Sequence, residues 1–145
     1  MIDTMKALLK TKNMCVLATV WEGMPHTSLM AYVANDQGTE LYMVTYRQTL
    51  KYRNMLKNPE VSLLIDTRDE FGQKDRRQVK ALTVTGRFKA IEEEDKKEAI
   101  RREIIKTHPH LKALATHQDA AVIAIQATSF LLLDGPTESH FEVVT

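Results

Sequence analysis

LYMVTYRQTLKYRNMLKNP, residues 41–59, reads as a strand, a sharp turn and a short helix, and its charge is one-sided. Between Glu40 and Glu60 there is no carboxylate, whereas Arg47, Lys51, Arg53 and Lys57 are all cationic. Thr49 is a good N-cap residue, which makes Leu50 and Lys51 the first helical residues, and Asn58-Pro59 is a stop signal. A helix N-terminus carries partial positive charge and unpaired N–H groups, so acidic residues are favoured there and basic ones are not. A bound anion resolves the conflict, because a phosphate accepts the free N–H groups, the Thr49 hydroxyl and the Lys51 ammonium together. A short surface helix with a solvated basic face is the alternative reading of the same residues.

The rest of the chain places this junction in a small β-rich protein. At 145 residues and 16.6 kDa, the expectation is a single domain over residues 1–145, large enough to fold without staples. A net charge of +1 argues against a general polyanion binder, so no nucleic-acid partner is expected and any basic site is local. The one cysteine, Cys15, lies in the apolar run MCVLATV and reads as a core residue. No apolar run reaches the length of a membrane span, and MIDTMKALLK lacks a signal-peptide pattern, which makes a cytoplasmic location the default.

Taken in order, Ile2, Met5, Leu8 and Leu9 have helical spacing behind Asp3 as a cap. Residues 14–21 suit a strand buried on both faces, and residues 22–25 a turn. Residues 26–34, HTSLMAYVA, follow as a second strand with His26, Ser28, Met30 and Tyr32 on one face and Thr27, Leu29, Ala31 and Val33 on the other. Strands at 39–46 and 61–66 flank the junction. After an exposed loop at 67–75, residues 77–91 alternate cleanly, with Gly86 marking a bulge or bend where a sheet curls. Glu92–Asp95 open a helix that obeys the dipole rule the first junction breaks. A helical turn or two at 111–116, a buried strand at 120–133, a turn at 134–136 and a short strand at 140–144 complete the chain.

Few other constellations carry chemistry. His108, His110 and His117 have no completing ligand set, so no metal site is expected. There is no nucleophile elbow, zincin motif, P-loop or dinucleotide glycine signature. His26 is only a remote candidate for acid–base work, and the catalytic residues are not identified. The strongest constellation is Thr45, Thr49 and Lys51 beside the strand carrying His26 and Ser28.

Three stretches in order, VLATVWEGMPHTSLMAYV, LYMVTYRQTLKYRNMLKNPEVSLLI and RRQVKALTVTGRFKAI, resemble the pyridoxamine 5′-phosphate oxidase-like family of FMN-binding split barrels. The resemblance implies a mainly β (α+β) fold, a six-stranded antiparallel Greek-key split β-barrel with flanking helices. It also implies a homodimer holding FMN in a cleft between subunits. By position, His26, Thr27, Ser28, Leu29 and Met30 match the strand that runs along the flavin, and Val44 and Thr45 match the family's Tyr-Thr pair near the phosphate. Thr49 and Lys51 occupy the Ser and Lys of its Ser-Arg-Lys phosphate motif, with Leu50 in place of the arginine, and Gln78 occupies the place of a glutamine that reaches the isoalloxazine. The tail TESHFEVVT lacks the basic substrate motif of true pyridoxamine phosphate oxidases, so the implied activity is an FMN-dependent oxidoreductase acting on an unidentified small molecule. A flavin carrier without turnover, and a deazaflavin or haem in the same cleft, are the alternatives.

Overall fold

The computed structural model describes residues 1–144; Thr145, the last residue of the expected domain, lies outside them. Eight strands form one antiparallel sheet: β1 (Met14–Trp21), β2 (Met24–Ala31), β3 (Val33–Ala34), β4 (Glu40–Tyr46), β5 (Glu60–Asp66), β6 (Lys80–Ala90), β7 (Ala120–Asp134) and β8 (Glu138–Val143). Their order is β2-β1-β5-β6-β7-β4-β3, with β8 beside β7. The six long strands of that path are those the resemblance implies; β3 and β8 are additions at its margins.

Closure follows from a break in the second strand. Residues 26–34 do not form one strand, as expected from their alternation, but split at Tyr32 into β2 and β3. Those two strands lie at opposite ends of the sheet order while being adjacent in the chain, so the sheet curls until its ends meet at Tyr32. That residue is 1% exposed and fully bonded: its N–H donates to Asn13 O (2.9 Å) and its hydroxyl to Leu9 O (2.6 Å). Its carbonyl accepts from His108 Nε2 (3.0 Å), which fixes the proton on that nitrogen. Burial pushes the Tyr32 phenol above its ordinary pKa, which keeps the donor proton in place.

Local chemistry shapes the other corners. Glu22 and Gly23, both with positive φ, form a two-residue hairpin between paired Trp21 and Met24, so Met24 and Pro25 belong to β2 rather than to the turn. Pro25 is tolerated because β2 ends the sheet path. In the β6–β7 ladder, Gly86 opposes Ala127 while Thr85 opposes Ser129, so Thr128 is the extra residue of a bulge. A Cβ on Gly86 would lie 2.8 Å from both Gln126 O and Ile125 Cγ2, which is why the bend carries glycine.

Two hydrophobic cores result. Inside the curl, Leu17, Met43, Leu63, Ile65, Leu82, Val84 and Phe130 pack with Met5 and Leu9 of α1 (Ile2–Thr11) and Met55 of α2 (Leu50–Lys57). On the outside of β4 and β7, Tyr42, Val44 and Val122 pack against Ile100 and Ile104 of α4 (Glu94–Thr107) and Ala115 of α5 (Lys112–Ala115). Four expectations need correction. Met1, not Asp3, is the N-cap residue of α1, and Asp3 sits in its first turn. Strand β1 is buried on one face and only half-buried on the other, not buried on both. The loop at 67–75 contains a turn of helix, α3 (Arg68–Phe71), and β6 begins only at Lys80, after a 3-10 turn at Arg76–Gln78.

Candidate functional site

The α2 start has the geometry its sequence implies. Thr49 is the N-cap in extended conformation (φ −123°, ψ 152°), and its hydroxyl accepts from Tyr52 N–H (3.3 Å) while donating to Tyr46 O (2.8 Å). Arg53 N–H bonds to Thr49 O (3.1 Å), which leaves the Leu50 and Lys51 N–H groups without partners among the described residues. The first turn has no acidic residue. Thr45, 3% exposed at the end of β4, brings a second hydroxyl to within 3.4 Å of the Thr49 hydroxyl. Two unpaired N–H groups and the Lys51 ammonium on adjoining residues suit a dianionic phosphate, while the Thr49 proton is given to Tyr46 O.

Neighbouring bonds hold this turn in place. Arg47 N–H donates to Asp119 O (2.9 Å), Gln48 N–H to Asp119 Oδ2 (3.3 Å) and Arg47 NH1 to Ala120 O (2.8 Å), tying the turn to the start of β7. On the other side, Asn54 Nδ2 donates to Thr19 Oγ1 (3.1 Å), and both residues are buried. Sequence reasoning missed Asn54 and Thr19. The available signal was a polar residue beside Met55 on the helix face that the exposed Leu56 leaves behind.

The remaining expected site residues divide. His26, Ser28 and Met30 face the interior, opposite Thr19, Leu17 and Cys15, and Ser28 Oγ lies 3.3 Å from His26 Nε2. Because Thr19 is held by α2, this face of β2 and the α2 helix belong to one region. Thr27 and Leu29 point outward, and Val44 packs under α4 at 4% exposure, so its side chain is withheld from the junction. Gln78 lies in the 3-10 turn, exposed, with its amide donating to Asp75 Oδ2 (3.2 Å). That amide and Arg77 hold the Asp75 carboxyl below its ordinary pKa, the Arg77 bond being the larger cause. Gln78 precedes the Lys80 end of β6, whereas α2 leads into β5 at Glu60, which pairs with Arg87. The two ends are about 20 Å apart along the strands, so one chain does not bring Gln78 to Thr49.

The outer face of the curl carries an apolar row that is half-buried in its middle and exposed at its ends. Strand register aligns Leu29, Val16, Leu64, Thr83, Leu131 and Phe141 in one row across β2, β1, β5, β6, β7 and β8. Leu29 is 70% and Phe141 62% exposed, and Leu133 and Val143 add to the same face. Exposed apolar side chains gathered at the two ends of one sheet face mark it as a candidate contact surface.

A curled antiparallel sheet with flanking helices, α2 among them packed on β1 and β2, defines the class, a split-barrel protein. The chain belongs to the pyridoxamine 5′-phosphate oxidase family, whose model matches residues 1–134. No curated protein matches. Among solved structures, a haem-binding protein from Mycobacterium smegmatis superposes with a TM-score of 0.82 at 18% identity, covering 96% of this chain and 56% of that one. A putative pyridoxamine 5′-phosphate oxidase from Listeria innocua gives 0.69 at 24% identity, covering 90% and 96%. An FAD-binding protein from Mesorhizobium loti gives 0.74 at 18% identity, covering 91% and 93%. At these identities the likeness is one of fold. Among the described residues no helix is long and apolar enough to cross a membrane.

Proposed function

We propose that this chain is an FMN-binding flavoprotein that works as a homodimer and acts as an oxidoreductase on a small molecule. The observation that carries the reading is the α2 start, where Lys51 and two unpaired N–H groups stand beside the Thr45 and Thr49 hydroxyls with no carboxylate in the first turn. Flavin, when bound, supplies hydride and electron transfer. The residues of this chain supply the rest. Lys51 and the free N–H groups of Leu50 and Lys51 bind the phosphate, the Thr49 hydroxyl joins them by turning from Tyr46 O with Thr45 beside it, and the His26–Met30 strand lies along the ring. Asn54 and Thr19 keep α2 seated on β1 so that the phosphate site keeps its place.

The second copy covers the apolar row from Leu29 to Phe141, and Gln78 reaches the ring from that copy, since its own chain holds it at the far end of β6. Haem in the same cleft is the second reading, supported by the Mycobacterium smegmatis neighbour. The visible spectrum after desalting separates the two. Retained flavin bands support the proposal. A Soret band that disappears in His26→Ala would replace it with haem.

A further inference from the structure

We propose that a cavity between Tyr52 of α2 and the α4 helix, adjoining the α2 start, binds a small organic anion with a compact apolar body. The cavity, about 210 Å³, is lined by Arg47 after β4 and by residues of α2, β6, α4 and β7, and includes neither Thr45, Thr49 nor Lys51. Three cations border it: Arg47, Lys97 and Arg101, the last two from one face of α4, with Glu94 as the carboxylate among them.

The pairing of these cations leaves charge over. Arg47 donates to Ala120 O and Arg101 Nε to Ala115 O (2.9 Å), contacts that satisfy N–H groups without cancelling charge. Lys97 meets Glu94 at 3.2 Å and Arg101 meets Glu98, but the Glu94 and Glu98 side chains are 79% and 47% exposed, while those of Lys97 and Arg101 are 28% and 23% exposed. The cations are thus the drier partners of exposed ion pairs, which screen them weakly. Beside them Ile91 and Val122 are each 7% exposed, and the Tyr52 and Phe88 rings meet edge to face at 6.2 Å. Cationic donors around an apolar, aromatic-edged cavity select an oxyanion head, carboxylate or phosphate, on a ring or short acyl body.

The test is a methyl and backbone NMR titration of the intact protein with benzoate, inorganic phosphate and uncharged benzyl alcohol. Saturable benzoate shifts at Ile91 and Val122, with benzyl alcohol at least tenfold weaker, are expected. Arg47→Gln and Lys97→Gln should each weaken benzoate severalfold or more. Lys97→Gln disturbs only an exposed ion pair, so it remains informative if the loss of the Ala120 contact unsettles the Arg47 variant. Absence of saturation, or wild-type benzoate affinity in Lys97→Gln, would overturn the proposal. Inorganic phosphate binding as tightly as benzoate would overturn recognition of the apolar body. Lys51→Ala, which removes a phosphate-site charge and no cavity-lining residue, should leave benzoate binding unchanged, which separates this site from the phosphate site.

Discussion

The Asn54 side-chain amide donates to the Thr19 hydroxyl across 3.1 Å in a region where both residues are at most 5% exposed, and this bond joins α2 to β1. Removing Asn54 strands a buried hydroxyl. Asn54→Ala should therefore lower stability by about 1–3 kcal/mol in urea unfolding. Replacing both partners, Thr19→Val with Asn54→Leu, should cost less than the sum of the single changes. A strictly additive cycle would show that the bond does not couple the two elements.

The apolar outer row makes a prediction about mass. Leu29→Asp changes an exposed side chain, so it should alter the folding stability of one chain by only about 0.5 kcal/mol. Buried against a second copy, the same carboxylate would be unpaired and costly. Light scattering should give roughly twice the chain mass for the wild type and a single-chain mass for Leu29→Asp. A monomeric wild type would remove the second copy from the proposed cleft.

Cys15 sets a pH dependence. Burial pushes its thiol up to about 12 in the folded chain, against about 8.5 when unfolded. Below pH 8.5 both states keep the proton and the thiol contributes no slope. Above it, the unfolded chain ionises first, so stability should fall by at most about 1.4 kcal/mol per pH unit, and Cys15→Ala should remove that slope. The native thiol should also react slowly with a disulfide reagent at pH 8; rapid labelling of the folded protein would contradict its burial.

Much of this architecture is legible in the residues, and the gaps have physical causes. Thr49, Leu50 and Asn58 mark the ends of α2 because capping is local chemistry, and Gly86 marks the bulge region because two backbones approach there. Tyr32 conceals the break between β2 and β3, since its alternation continues while its hydrogen bonds, to Asn13, Leu9 and His108, lie far off in sequence. Thr19 and Asn54 are invisible for the same reason. Gln78 is legible only as a position in a sequence motif; where it lies relative to Thr49 depends on the sheet path, and the second copy that would unite them leaves no local pattern.

The phosphate site is tested most directly by titrating FMN into the flavin-free protein and following quenching of flavin fluorescence, for the wild type and for Thr49→Ala/Lys51→Ala. Loss of one hydroxyl and one charged contact should weaken binding by about 2–4 kcal/mol, roughly thirtyfold to several hundredfold, while the fold loses about 1 kcal/mol with the cap. Saturable wild-type binding with that loss is the predicted result. Wild-type affinity retained by the double variant, or no wild-type binding at all, would contradict the assignment of the α2 start as the flavin phosphate site.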